Sequence, residues 1–284
     1  MKTPEQLKGA IRNISKQKNL HAQEVLQIFM FERILERLSL SPYKKNFVLK
    51  GGLLISSMIG ISERTTMDMD TTVRGIDMDE TNIKRIVKEI FSIDAGDGIL
   101  FQFEKIEPIR EDDDYNNFRI HFTAEYGKIK NKMKMDITTG DEITPAAIEY
   151  SFHTMFDEKD IEVYAYTLET ILAEKYETVI RRGIGNTRSR DYYDLYLLFH
   201  LYKDDINPDH FKIAVEHTAK KRNSIEVIGK YETICEEIRN EESLASDWHN
   251  YVSNETYAAR LSFDDVVQNA LEVGNYLKNI PESD

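Results

Sequence analysis

The fold is decided by the stretch Phe47-Val48-Leu49-Lys50-Gly51-Gly52, which is followed by Met67-Asp68-Met69-Asp70. The first segment reads as a short strand that runs into a glycine turn, where backbone N–H groups can approach a phosphate because no Cβ intervenes. The second segment belongs to a predicted strand over residues 67–73, whose alternation puts both aspartates on one face, about 7 Å apart. Two carboxylates at this spacing can bracket two divalent metal ions roughly 4 Å apart. Together the segments predict a phosphate-transferring site.

A third acidic residue, Asp136, lies near the end of a run of alternating apolar and polar residues at 128–137. This run predicts a strand with one buried face, and Asp136 falls on its polar face. An aspartate at a strand end is usually only a solvated turn residue. Beside a strand that carries two acids, however, it is the natural third ligand of a two-metal site. Mg²⁺ suits such a site because it prefers hard oxygen ligands and shares its coordination sphere with substrate phosphates.

The polar face of the same strand also carries Lys130, Lys132 and Lys134. Two interpretations of these lysines remain open. They protect an edge strand against aggregation, or they form a basic track for the backbone of a nucleic-acid substrate.

A second group of charged residues lies in the other half of the chain. Between Lys175 and Arg190 there are five basic residues and one acidic residue, Glu177. A triphosphate pocket needs such a cluster, with Lys175 as a point charge on the phosphates. Asp191 and Asp194 are spaced i, i+3 at a predicted helix start, where acids commonly complement the helix dipole.

The pattern of apolar residues predicts an α/β (α+β) fold with a mixed sheet, followed by a helical part. We expect a domain over residues 1–155 and an all-helical domain over residues 156–284 that completes the nucleotide site, because helices dominate after Pro145. Glu111–Asp114 is expected to form an acidic hairpin turn. The predicted strands cover 47–49, 67–73, 99–109, 118–126 and 128–137, and the predicted helices cover 22–38, 53–59, 81–91, 167–182, 190–201, 211–221, 224–240 and 264–277.

Composition limits the classes of function. The net charge is −13, of which residues 204–284 carry −9, so a nucleic-acid substrate would dock on the less acidic first part of the chain. The single cysteine, Cys235, excludes an intrachain disulfide and a cysteine zinc cluster. No apolar stretch is long enough for a bilayer span, and the first residues lack the apolar region of a signal peptide. We therefore expect a cytoplasmic protein without a membrane partner.

Taken together, these segments resemble the AbiEii family of bacterial nucleotidyltransferase toxins, a branch of the polymerase-beta-like nucleotidyltransferases. The resemblance implies a polymerase-beta-like core and the use of Mg²⁺ and a nucleoside triphosphate. It rests on residues 31–39, 47–52, 64–70, 135–137, 173–175 and 188–195, which occur in the order found in the family.

The resemblance also assigns roles to individual residues. The implied catalytic set is Asp68, Asp70, Asp136, Lys175 and Asp191, of which the first three would be the metal ligands. The implied nucleotide-binding set is Gly51, Gly52, Ser56, Arg64, Thr66, Lys175 and Arg188. One departure is Leu53, which stands where the family has a small hydroxyl residue. Ser56 or Ser57, one turn further on, would have to supply the missing phosphate contact, so the departure bears on nucleotide affinity or choice.

The family further implies the toxin half of a two-gene toxin–antitoxin system that aborts phage infection. The antitoxin would be encoded alongside and would act without tight direct binding. Some relatives transfer nucleotides to the 3′ end of tRNA, which makes tRNA the implied acceptor. Two alternatives stay open: transfer to a small hydroxylated molecule, and a nucleotide-binding regulatory module that performs no transfer.

Overall fold

The computed structural model describes residues 3–109, 116–157 and 159–281. The chain divides into two compact units: unit 1 comprises residues 1–141 and 148–165, and unit 2 comprises residues 142–147 and 166–284. The domain boundary expected at residue 155 lies between two strands of unit 1. The predicted acidic turn at Glu111–Asp114 lies outside the described residues. Within the described residues, no helix combines the length and apolarity needed to cross a membrane.

Unit 1 is built on one mixed sheet, as the sequence predicts. Strand order is β3-β4-β5-β2-β1-β7-β6. The pairs β2–β5 and β1–β7 are parallel, and the other neighbours are antiparallel. The strands are β1 (Phe47–Lys50), β2 (Met69–Val73), β3 (Leu100–Ile109), β4 (Asn117–Tyr126), β5 (Ile129–Thr139), β6 (Ile148–His153) and β7 (Asp160–Ala165).

Strand β1 lies inside the sheet because its side chains are apolar on both faces. Phe47, Val48 and Leu49 are each at most 1 % exposed, and β1 pairs with β2 on one side and β7 on the other. Apolar runs of this kind suit strands that are covered on both faces. The strand therefore delivers Lys50 and the glycine turn to a fixed position at its end.

Helices of unit 1 begin and end where the sequence provides caps. Thr3 and Gln6 form a capping box at the start of the first helix, and Gly60 follows the end of the third. The second helix is buried along most of its length and contacts β7. The four helices are α1 (Pro4–Lys18), α2 (Ala22–Leu40), α3 (Gly51–Ile59) and α4 (Glu80–Phe91).

The described regular structure of unit 2 is helical. Its first helix contacts the next two long helices, and its last helix packs against two of the helices that precede it. The helices are α5 (Leu168–Arg182), α6 (Ser189–Tyr202), α7 (Pro208–Lys221), α8 (Ile225–Ile228), α9 (Tyr231–Arg239), α10 (Glu242–Asn254) and α11 (Phe263–Lys278).

Three expectations about secondary structure were wrong. Helices do not dominate directly after Pro145, because β6 and β7 add two strands to the sheet. Only alternate residues of β7 are buried, and in a strand of six residues this alternation is a weak sequence signal for a strand. The single helix expected over 224–240 is split into α8 and α9 around Gly229 and Lys230, and α10 was not expected. Finally, β2 begins at Met69, so Asp68 precedes the strand.

A carboxyl group on α2 is buried, and one of its two oxygens accepts no hydrogen bond. Glu32 is 1 % exposed; its Oε1 accepts a hydrogen bond from the backbone N–H of Met155 at 2.8 Å, and Arg33 lies 3.6 Å from its Oε2. Burial raises the pKa of Glu32 to about 8, and the nearby carboxylates of Asp157 and Glu36 add to this. The folded protein therefore holds this proton more tightly than the unfolded chain.

We predict that Glu32→Gln alters the pH dependence of stability. Since the folded-state pKa lies above the unfolded value of 4.5, this group lowers the free energy of unfolding as pH rises toward 8, by up to about 1.4 kcal/mol per pH unit. The variant lacks this loss. Its free energy of unfolding should therefore equal that of the wild type near pH 5 and be larger than that of the wild type at pH 8–9. Urea unfolding across this range checks the prediction, and parallel curves at all pH values would contradict it.

Candidate active site

The two acids in the strands of unit 1 lie side by side in the sheet. Asp70 on β2 is the register partner of Asp136 on parallel β5. The row continues on both sides, since Lys50 on β1 opposes Asp70 and Arg119 on β4 opposes Asp136. Directly opposed residues share a face of the sheet, with Cβ atoms about 5 Å apart. The register thus creates a row of four charged side chains, with the acids in the middle.

The glycine pair at the start of α3 packs against Asp70 and against the segment that precedes β2. Gly51 has φ +66°, and a Cβ there would collide with the side chain of Asp70. A Cβ on Gly52 would lie 2.8 Å from Thr66 Oγ1 and 2.9 Å from the Arg64 guanidinium. Both positions therefore require glycine for close packing, in addition to any contact with a phosphate.

The segment before β2 is held by its own polar residues. Thr66 Oγ1 accepts a hydrogen bond from the Asp68 N–H at 3.2 Å and donates one to the Asp68 carbonyl at 3.0 Å. Ser56, which is buried, donates to the carbonyl of Arg64, and the Arg64 guanidinium donates to the carbonyl of Thr65. In this arrangement Ser56, Arg64 and Thr66 fix the position from which Asp68 projects.

The site has no hydroxyl at the position of Leu53, whose side chain is fully buried in the core. Of the two serines expected to substitute, Ser56 is occupied by the Arg64 carbonyl, and the Ser57 hydroxyl lies 2.9 Å from the hydroxyl of Tyr150. Both hydroxyls therefore contribute to packing within unit 1.

Cationic side chains bind two of the acids. Arg119 donates from Nε and Nη2 to the two carboxylate oxygens of Asp136, each at 2.8 Å. The Lys134 ammonium lies 3.0 Å from Asp68 Oδ1. The hydrogen bond to Asp136, reinforced by the charges of Asp68 and Glu107, raises the pKa of Arg119 above its already high ordinary value. Arg119 thus stays charged and compensates the clustered carboxylates.

Lys50, at the other end of the row, belongs to a second polar network. Its ammonium lies 2.6 Å from Asp141 Oδ2, which also accepts hydrogen bonds from Thr72 at 2.8 Å and Thr138 at 3.0 Å. Thr72 and Thr138 are register partners on β2 and β5, two residues beyond the acids. This network ties β1, β2 and β5 together beside the acid pair.

The donor chemistry of the row fits a divalent metal ion such as Mg²⁺. Carboxylate oxygens from neighbouring strands are its preferred ligands, and Asp70 and Asp136 provide them in register. Among the described residues, however, no three His, Cys, Asp or Glu side chains stand together in a ligand arrangement. In the observed contacts, Asp136 binds Arg119 and Asp68 lies against Lys134.

In unit 2, Lys175 on α5 lies between two buried acids of α6. Its ammonium is 2.8 Å from Asp191 Oδ1 and 2.7 Å from Asp194 Oδ2, and these carboxylates are at most 2 % exposed. Arg188, which is half exposed, lies 2.9 Å from the second oxygen of Asp191. Asp191 therefore forms ion pairs with both Lys175 and Arg188, the two basic residues that the resemblance assigns to nucleotide binding. Asp194 forms a second ion pair with Lys175.

The predicted site residues did not include Arg119, Lys50, Asp141 and Asp194, which belong to these networks. Arg119 and Lys50 flank the acids only through strand register, and Asp141 folds back onto Lys50 from the end of β5. For Asp194 the sequence offers one signal, its i, i+3 spacing from Asp191, but the helix dipole also accounts for acids in a first helical turn.

The fold of this chain is similar to that of a solved structure whose sequence is only distantly related. A candidate nucleotidyltransferase from Helicobacter pylori matches with a TM-score of 0.50 and 15 % identity, over 93 % of this chain and 100 % of that chain. JHP933, also from Helicobacter pylori, matches with a TM-score of 0.49 and 16 % identity, over 91 % and 95 %. An antigenic nucleotidyltransferase-like protein from Paracoccidioides brasiliensis matches with a TM-score of 0.39 and 12 % identity, over 69 % of this chain and 89 % of that chain.

The family is shown by the sequence itself. The model of the nucleotidyl transferase AbiEii toxin family, of type IV toxin–antitoxin systems, matches residues 33–269. This chain therefore belongs to the AbiEii family, and the resemblance described from its motifs is confirmed. A comparison with curated proteins gives no significant match.

We predict that Gly51→Ala destabilises unit 1, because the added methyl group must displace Asp70 and the backbone must keep a left-handed φ. We expect a loss of at least about 2 kcal/mol in the free energy of unfolding. Gly9→Ala is the matched control, since Gly9 lies inside α1 with no atom near its would-be Cβ; it should stabilise by about 0.5–1 kcal/mol. Equal effects of the two substitutions in thermal unfolding would refute the packing role of Gly51.

Proposed function

We propose that this protein is an Mg²⁺-dependent nucleotidyltransferase toxin that transfers a nucleoside monophosphate from an NTP to an RNA acceptor. The proposed acceptor is the 3′ end of tRNA, whose modification would block charging and halt growth. The observation that carries the proposal is the in-register pair of Asp70 and Asp136 in a chain of the AbiEii family, with Asp70 packed against Gly51.

In this proposal, Asp68, Asp70 and Asp136 are the metal ligands. Bound Mg²⁺ would supply neutralisation of the triphosphate charge and a lower pKa for the attacking hydroxyl. Asp136 would either share the ligand role or accept the proton of that hydroxyl. Its position beside Asp70 supports both roles, because the parallel register holds it within one strand spacing of the other acid.

The proposed nucleotide-binding groups are the N-terminus of α3 in unit 1 and the cluster around Lys175 in unit 2. The backbone N–H groups of Gly51 and Gly52 open a nine-residue helix, whose dipole favours an anion at that end. Lys175 and Arg188 supply positive charge, and Asp191 is proposed to be essential because it contacts both.

The lysines of β5 add weaker support for an RNA acceptor. Lys134 lies against Asp68, Lys130 pairs with Glu125 at 2.6 Å, and Lys132 is exposed. They flank the acids on the same face of the sheet, where a polyanion backbone would approach. Their pairing with acids still accords with the alternative role of protecting a strand.

The family membership extends to the setting of the proposal. A type IV toxin–antitoxin system implies a cognate antitoxin. We propose that this antitoxin is encoded alongside and acts without tight direct binding, that the toxin works in the cytoplasm, and that it serves abortive infection against phage.

We predict that Asp70→Asn and Asp136→Asn each lower nucleotide transfer by at least about 100-fold and abolish growth inhibition on expression. Each substitution keeps the shape of the side chain but removes its charge. The control is Glu125→Gln, which removes a carboxylate from β4 on the same sheet face, away from the acid row, and should keep transfer near the wild-type rate. Toxicity retained in a soluble Asp136→Asn protein would sink the proposed role.

The substrate class is tested by incubating the purified protein with each labelled NTP, Mg²⁺ and total RNA. We expect label on tRNA-sized bands, lost on periodate oxidation of the tRNA 3′ end before the reaction. Label confined to small molecules would replace the RNA acceptor with a small hydroxylated one. Nucleotide binding without any transfer would favour the regulatory module and reject the transferase.

A further inference from the structure

Arg119 binds both carboxylate oxygens of Asp136, a proposed metal ligand. The guanidinium forms two parallel hydrogen bonds, Nε to Oδ1 and Nη2 to Oδ2, both at 2.8 Å. The two residues are register partners on β4 and β5, so the backbone brings them together. Such a fork is the strongest arrangement an arginine and a carboxylate can form.

This geometry distinguishes Arg119 from a group that merely orients a metal ligand. An orienting partner commonly bonds one atom of the ligand and leaves the other to the metal, and its removal weakens metal binding. Here both oxygens of Asp136 are engaged, and the guanidinium adds a positive charge beside the place where a second cation would bind. Two cations a few ångströms apart repel, most strongly where the site is partly buried.

We propose that Arg119 is an internal counter-cation that competes with the divalent metal for Asp136. The inference rests on the proposed metal site. In the free protein, Asp70 and Asp68, which Lys134 contacts at Oδ1, would provide the first contacts of the metal, while Asp136 stays bound to Arg119 through both oxygens. A substrate with several phosphate groups offers the guanidinium an alternative bidentate partner, which frees Asp136 for the metal.

The surroundings of Arg119 allow such an exchange. Its side chain is one-third exposed, so the guanidinium can turn toward solvent while the backbone of β4 stays in place. It is also attracted by Asp68 and by Glu107, which opposes it on β3, so the site stays compensated in charge while Arg119 remains in place. The exchange would thus couple full metal coordination to the arrival of a phosphate-bearing substrate.

The test measures Mn²⁺ binding to the full-length protein without nucleotide, by the electron paramagnetic resonance signal of the free ion. Arg119→Ala should bind Mn²⁺ several-fold more tightly than the wild type, and Arg119→Lys, which keeps a charge but loses the fork, should fall between them. In an Asp136→Asn background, the gain from Arg119→Ala should shrink. Thermal unfolding of each variant confirms that the compared proteins are folded.

Lys130→Ala serves as the matched control, because it removes one positive charge from the same sheet face at the far end of β5. It should leave the Mn²⁺ affinity close to that of the wild type. If the wild type binds Mn²⁺ and Arg119→Ala binds it equally or more weakly, Arg119 does not compete and this inference falls while the proposed metal site stands. If neither protein binds Mn²⁺, the metal site itself fails, and the inference fails with it.

Discussion

The parallel pairing of β2 with β5 is the constraint on which the proposed active site depends. It sets two carboxylates next to each other on one face of a sheet, a placement that costs energy unless positive charge is nearby. Lys50 and Arg119 occupy the two flanking strands of the same row, and Lys134 reaches Asp68. The register that creates the acid pair therefore also supplies its compensation. The charges around the site are part of the sheet and do not depend on mobile loops.

Much of unit 1 follows from local sequence patterns. The apolar run of β1, the alternation of β4 and β5, and the cap residues of α1 and α3 all lead to the observed elements, because each of these signals acts within a few residues. The sequence also singles out Asp68, Asp70 and Asp136, since acids that interrupt apolar strands are conspicuous. The helices of unit 2 follow in the same way where their periodicity is long.

Features that depend on distant pairing could not be obtained from the sequence in this way. No local pattern predicts the register of β4 and β5 that places Arg119 opposite Asp136. Nor does one predict that β7 pairs with β1. The glycine pair shows the same limitation differently: Gly51 and Gly52 suggest a phosphate turn, but only the structure reveals that Asp70, Thr66 and Arg64 occupy the space of their missing side chains. In unit 2, the i, i+3 spacing of Asp191 and Asp194 fits two helix-terminal charges, and only the structure reveals the contact of the buried Asp194 carboxylate with Lys175.

The order of the strands along the chain has a consequence for synthesis. Asp70 and Asp136 become neighbours only when β2 pairs with β5, which follows β3 and β4 along the chain, and β1 gains its second neighbour only when β7 is complete at Ala165. Parallel pairings across such separations form late, because their loop closure must precede any gain from contact. A nascent chain on the ribosome therefore lacks the paired acids until β5 has emerged.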